Sequence, residues 1–257
     1  MIAGEIGPSM VLVPARRAST RLPDKPLALI AGEPMIVHVW RRACEADCGR
    51  VIVATDDHEI ADAIARAGGQ AVITASDHAS GSDRIFEALE IADPAGEAEI
   101  IVNLQGDLPS LDPALVRRLI ALLRDGDGDI ATLASTIVEE READDPNVVK
   151  IAAALGEVGS SARAHYFSRA RIPSGAGALY HHIGIYAFRR TALARFVSLP
   201  PSALEQRERL EQLRAIEAGM AIDVALVDTM PLGVDTPDDL ERARQLFASR
   251  ASDKKAC

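Results

Sequence analysis

Lysine is nearly absent from this chain. Only Lys25, Lys150, Lys254 and Lys255 carry it, and arginine supplies the other 24 of the 28 basic residues. Aromatic residues make up 4%, with a single tryptophan, and cysteine occurs three times. The odd count, without a CxxC spacing, excludes a disulfide framework; Cys44 and Cys48, one helical turn apart, are expected to be packing thiols. No apolar run approaches the ~20 residues of a membrane-spanning helix. Met1–Ser9 lacks the charged start and long apolar stretch of a signal peptide, so a cytoplasmic location is expected.

Several chemical motifs are missing as well. There is no GxxxxGK(S/T) phosphate loop, and Gly175-Ala-Gly177 lacks both a third glycine and a preceding strand, so it is no dinucleotide fingerprint. No serine sits in a GxSxG elbow. Asp125-Gly-Asp127-Gly-Asp129 begins like a calcium loop, but Ile130 and Thr136 stand where the glycine and the bidentate acid belong, which leaves a solvated turn. His181 and His182 are adjacent on an expected strand and point to opposite faces, so only one of them can face a ligand. The net charge of −10 argues against a nucleic-acid partner.

What is present is the composition of a globular enzyme, 48% hydrophobic and 26% charged over 257 residues. Apolar runs at Met10–Ala15, Arg50–Thr55, Gln70–Thr74 and Glu99–Leu104 predict buried strands. Helical periodicity predicts helices at Pro34–Ala46, Asp57–Ala67 and Asp83–Ile91, and one beginning at Asp112-Pro113. This alternation is an α/β fold with a mostly parallel twisted sheet covered on both faces. Beyond residue 128 the rhythm changes. Strands are expected in Asp129–Val138, Val148–Ala154, Ile183–Phe188 and Ile222–Val227, with the Ala164–Arg169 segment as a separator. Two helices are expected in Ser202–Ala218 and a last one from Pro237. We therefore expect one domain over 1–257, with a nucleotide-binding part at about 9–128 and an inserted antiparallel lobe at about 129–232.

The loop after the first strand carries Arg16, Arg17, Arg21 and Lys25 with one acid, Asp24. Cations leaving the carboxyl end of a strand in an acidic protein suit a compact anion such as a triphosphate. Lys25 stands out because a chain built on arginine uses a point charge there. Asp107, after a buried strand in Gln105-Gly106-Asp107, and Asp235, in Gly233-Val-Asp235-Thr-Pro237, each precede a helix. Magnesium binds through one or two carboxylates plus substrate phosphates, so this pair beside a cationic loop is a candidate metal site. Asp56 is a third acid at a strand end; either it joins that site, or it or Asp57 caps the next helix.

These pieces together resemble the 3-deoxy-manno-octulosonate cytidylyltransferase family. The resemblance runs through PARRASTRLPDKPL (14–27), VIVATDD (51–57), DHASGSDR (77–84), IVNLQGDLP (101–109), PNVVK (146–150), YFSRARIP (166–173), HHIGIYAFR (181–189), LEQRERLEQLR (204–214) and GVDTPDDLERAR (233–244). It implies a nucleotide-diphospho-sugar transferase type of fold. It also implies activation of 3-deoxy-D-manno-octulosonate (KDO) with CTP, giving CMP-KDO and pyrophosphate for lipopolysaccharide biosynthesis, with Mg²⁺ as cofactor and a homodimer as the working form. Carried over to this chain, Ala15, Arg16, Arg21 and Lys25 would hold the triphosphate. Ser80 and Arg84 would read the cytosine, and Asp107 and Asp235 would hold Mg²⁺. Gln105, Arg169, His182, Glu211 and Gln212 would hold the sugar acid, so that Lys25, Asp107 and Asp235 are the catalytic set. The alternatives are a related sugar-acid nucleotidyltransferase, for an 8-amino analogue or sialic acid, and a CTP-binding regulator without turnover. Two departures stand out: Leu108 replaces the usual acid after Gly-Asp, and the stretch 174–180 is short.

Overall fold

The computed structural model describes residues 8–17 and 22–255. In chain order its elements are β1 (Ser9–Ala15), a 3-10 turn (Lys25–Leu27), β2 (Leu29–Ile30), β3 (Glu33–Pro34), α1 (Met35–Glu45), β4 (Arg50–Thr55), α2 (His58–Arg66), β5 (Gln70–Ile73), α3 (Gly81–Ala92), β6 (Ile100–Asn103) and α4 (Pro113–Asp125). They continue with β7 (Ile130–Thr136), α5 (Glu140–Asp144), β8 (Lys150–Ala153), β9 (Ser161–Ser168), β10 (Tyr180–Arg189), α6 (Arg190–Ser198), α7 (Ala203–Glu208), α8 (Gln212–Glu217), β11 (Ile222–Val227) and α9 (Pro237–Lys255). Two compact units interleave along the chain. The first gathers the described residues of 10–96, 103–113 and 231–257; the second gathers those of 1–9, 97–102 and 114–230.

In the first unit β5, β4 and β1 lie side by side and parallel, with Met10 opposite Arg50 and Ile52 opposite Gln70. Val11, Leu12 and Val13 are fully buried, which is why β1 reads as an unbroken apolar run rather than an alternation. The Leu104 N–H donates to the Leu12 carbonyl at 3.0 Å and carries the segment 103–113 along β1. Gly106 then passes so close to β1 that a Cβ would stand 2.7 Å from the Pro14 carbonyl oxygen, so only glycine fits. α9 and the loop before it pack on the Lys25 segment through Leu22, Ile30, Met35, Val234 and Leu240. That small core ties residues more than two hundred positions apart into one wall.

β2 and β3 are joined by Ala31 and Gly32, both at positive φ (48° and 84°), as a type I′ hairpin turn requires. Ala31 is exposed and bears the strain of a Cβ in the left-handed region. Ala31→Asn is expected to raise stability by about 1 kcal/mol. A denaturation midpoint that is unchanged or lowered contradicts this reading of the turn.

The second unit holds β6, β10, β7, β11, β9 and β8 in that order, and β8 also pairs with β10, so the last five strands close on one another. β7 and β11 are parallel, whereas β10 with β7, β11 with β9 and β8 with β9 are antiparallel. The Ala164–Arg169 segment, expected as a separator, lies largely within β9. Arg163 makes a polar strand possible there, because its Nε donates to Asp223 on β11 at 2.8 Å. α6 was not expected; it buries Leu193 and Phe196 directly after β10. The Asp125–Asp129 turn is held by Arg189 through the Gly126 and Gly128 carbonyls and by the Arg163–Asp127 ion pair. Cys44 is exposed, so it is not a packing thiol, although it and Cys48 are both free. Among the described residues no helix is long and apolar enough to cross a membrane.

Candidate active site

The first unit contains a cavity of about 380 Å³ whose walls are built from strand ends. The end of β1 contributes Pro14, Ala15 and Arg16; the segment after β6 contributes Gln105, Gly106 and Asp107. Lys25 with Pro26, the amino end of α3 with Ser80, Gly81 and Arg84, and Asp235 complete the lining, together with His78. Eight of the expected site residues meet here: Ala15, Arg16, Lys25, Ser80, Arg84, Gln105, Asp107 and Asp235. Arg21 lies outside the described residues.

Lys25 is the centre of charge. Its Nζ donates to Asp107 Oδ2 at 2.8 Å and to Asp235 Oδ1 at 2.9 Å, and its side chain is 16% exposed. Burial works against its charge, but Asp107 and then Asp235 outweigh it, so its pKa lies above the ordinary lysine value. The backbone around the triad is fixed. The Leu27 N–H donates to the Asp24 carbonyl in the turn that carries Lys25, and the Val234 N–H donates to the Asp107 carbonyl at 3.0 Å. Thr236 and Asp239 form a reciprocal cap at the start of α9, in which Asp239 accepts from the Thr236 N–H and Thr236 Oγ1 from the Asp239 N–H. Asp239 also accepts from the Asp235 N–H, which holds the backbone that carries the Asp235 side chain. The two carboxylates thus present oxygens to a single cationic point.

That donor set fits magnesium. Among the described residues no three His, Cys, Asp or Glu side chains cluster, so an all-protein cage is absent. Two carboxylates facing a pocket for phosphates are what a metal shared with its substrate requires. Asp56 does not join them. Its Oδ2 accepts from Arg84 Nη2 at 3.1 Å, and Asp57 is the N-cap of α2, accepting from the Ile60 N–H.

Other assignments look different at atomic detail. Arg84 is buried, with Nη1 donating to Thr74 Oγ1 and Nη2 to Asp56, so two of its guanidinium nitrogens are already engaged within the protein. The Ser80 hydroxyl donates to Asp83 Oδ2 at 2.9 Å and accepts from the Asp83 N–H. Its proton is therefore held by Asp83, beside the capping box that the Asp83 N–H and the Ser80 N–H form with the two side chains, and the α3 amino end, with its partial positive charge, is left at the pocket. Arg17 is spent on Asp24 and Glu59. Leu108 is buried and stands beside Gly233, so no acid is offered at that position. His78, not singled out from sequence, lines the pocket and is bonded to Glu87. Its place in a turn between a strand and a helix was the available signal.

Arg169, His182, Glu211 and Gln212 all belong to the second unit. Arg169 Nε and Nη1 donate to the Glu208 and Pro146 carbonyls at 3.0 and 2.9 Å, and Nη2 reaches the Arg209 carbonyl at 3.4 Å. Gln212 is buried at the start of α8. The Glu211 carboxylate and, more strongly, burial push the Tyr186 hydroxyl well above its ordinary pKa. His182 is buried, its Nε2 pairs with Thr132 Oγ1 at 3.0 Å, and its ring packs edge-on to Phe167.

Burial, and then His181, push the His182 pKa down to about 3. The unfolded chain takes up a proton near pH 6.5 that the folded site refuses, so stability falls as pH drops below that value. His182→Gln is expected to flatten this acid loss by up to about 1.4 kcal/mol per pH unit. Denaturation midpoints between pH 6 and 4.5 test it, and parallel curves for the two proteins contradict it.

Comparison with known proteins gives the family. The family model described as cytidylyltransferase matches residues 10–222. A 3-deoxy-manno-octulosonate cytidylyltransferase of Parvibaculum lavamentivorans is 63% identical over 246 residues, 95% of each chain. One from Methylobacterium radiotolerans is 62% identical, covering 94% of this chain and 97% of its own. A solved CMP:2-keto-3-deoxy-manno-octonic acid synthetase, complexed with CTP, superposes with a TM-score of 0.87 at 40% identity, over 95% of this chain and 99% of that one.

Proposed function

Because the chain belongs to the 3-deoxy-manno-octulosonate cytidylyltransferase family and is thus a nucleotidyltransferase, we propose that it moves the cytidylyl group of CTP onto the anomeric hydroxyl of KDO, releasing pyrophosphate. The observation that carries this reading beyond membership is the convergence of Lys25, Asp107 and Asp235 in a pocket that also holds Arg16 and Arg84. In-line attack of a hydroxyl on a phosphate leaves the protein little covalent work; it must orient two anions and neutralise charge.

Arg16 and the amino end of α3 would bind the triphosphate, with Lys25 on the phosphate that changes charge as pyrophosphate leaves. Asp107 and Asp235 would hold Mg²⁺, which when bound supplies positive charge to the phosphates and lowers the pKa of a nearby hydroxyl. Arg84, braced by Asp56 and Thr74, would face the base. On the sugar side, three of the five N–H donors of Arg169 are used on backbone carbonyls, which leaves two for a carboxylate. Gln105 in the first unit and Glu211, Gln212 and His182 in the second are the further residues we assign to the sugar acid. The reading includes a cytoplasmic homodimer.

Pyrophosphate release, measured with each nucleoside triphosphate against KDO, its 8-amino analogue and sialic acid, tests this. We expect release with CTP and KDO, a lower kcat/KM for every other pair, and none without a sugar acid. CTP binding without release, or equal use of sialic acid, contradicts it. Arg169→Ala is expected to raise the KM for KDO roughly ten- to hundredfold while calorimetric CTP affinity stays near wild type. An equal loss of both contradicts the division of roles.

A further inference from the structure

The same two carboxylate oxygens that suit a metal are already bonded to an ammonium. Lys25 Nζ lies 2.8 Å from Asp107 Oδ2 and 2.9 Å from Asp235 Oδ1. A divalent ion seeking those oxygens competes with a cation already in hydrogen-bond contact, and two cations sharing them would repel. The backbones that carry the carboxylates are held together, because the Val234 N–H donates to the Asp107 carbonyl and Asp239 accepts from the Asp235 N–H. The lysine side chain can swing away from the pair, being a flexible four-carbon stem on a turn whose backbone is itself hydrogen-bonded.

Resting on the reading that Asp107 and Asp235 hold the metal, we propose that Lys25 gates metal binding. Its ammonium competes with the divalent ion for the carboxylate pair, and a triphosphate opens the gate by offering Lys25 another anion. The metal then enters with nucleotide and not before it. Arg16 and Arg84 line the same cavity, so it draws the anion in before the gate changes hands. Thermodynamic reciprocity follows: whatever factor the nucleotide adds to metal affinity, the metal adds to nucleotide affinity. An arginine at this position would serve poorly, because its planar fork pairs with one carboxylate face to face.

The gate predicts a gain in binding from the loss of a residue needed for turnover. Mn²⁺ is titrated into nucleotide-free protein and free ion is read by electron paramagnetic resonance, for wild type, Lys25→Met, Lys25→Gln and Lys25→Met/Asp107→Asn. We expect both single variants to bind the ion at least tenfold more tightly than wild type, and the double variant to lose that gain. Equal or weaker binding by both single variants, with the double variant weaker still, overturns the gate while leaving the metal assignment standing. Binding unaffected by Asp107→Asn overturns the metal assignment and the gate with it.

Discussion

Asp107→Asn is expected to leave a folded protein whose turnover at saturating substrates has fallen at least about a hundredfold. Asparagine keeps the volume, and the Asp107 backbone carbonyl that receives the Val234 N–H is untouched, so the wall between the two loops survives. What disappears is one of the two negative charges that we propose hold a cation at the reacting phosphate. The charge-assisted bond to Lys25 weakens with it, releasing the ammonium toward Asp235 alone. The loss should appear in kcat more than in either KM, because the missing stabilisation is strongest where charge shifts. Pyrophosphate release and a melting curve on the same sample check both halves. Turnover near wild type at high Mg²⁺ contradicts the assignment.

The second large effect is on stability. Lys150 is fully buried, and its Nζ donates to three backbone carbonyls, those of Asp145, Val148 and Arg169, at 2.8, 2.6 and 2.7 Å. It stands where β8 meets both β9, through Ser168, and β10, through His181, so it pins the closure of the five-strand ring. Lys150→Met fills the space but removes three hydrogen bonds, taking the donor from the Val148 and Arg169 carbonyls and leaving Asp145 only the Val148 N–H, and is expected to cost about 3–5 kcal/mol. Lys150→Arg should not restore the loss, since a planar fork cannot replace three donors radiating from one nitrogen. Urea denaturation measures it, and a change within about 1 kcal/mol contradicts the three-carbonyl account.

The two rare lysines illustrate what a sequence can and cannot carry. Their scarcity marks both Lys25 and Lys150 as special, but the reasons are opposite, and only the backbone fold decides which carbonyls surround Lys150. Lys25, Asp107 and Asp235 were legible because each is a charged residue in a loop, after β1, after β6 and before α9, in a local pattern that suits a phosphate or a metal. That they meet at a single nitrogen, across sequence separations of 82 and 210, needed the core formed by α9 and the Lys25 segment. β1, β4 and β11 were legible from apolar runs, whereas β9 was not, because exposed Arg163 and His165 interrupt its apolar pattern and the Arg163 partner, Asp223, lies on another strand. Ser80 was read as a donor to a base; the helix it caps claims that proton first. His182 was read as a sugar ligand, but alternation along a strand cannot say which of two neighbours turns inward.

The central claim is that Asp107 and Asp235 act as one unit around a shared cation. The most direct measurement is the turnover of the Asp107→Asn/Asp235→Asn double variant beside the two single variants, with substrates and Mg²⁺ saturating. A shared site predicts a double variant barely slower than the slower single, because the first substitution already removes most of what the second could. A double variant slowed by the full product of the two single losses would show that the carboxylates work independently and would contradict the account.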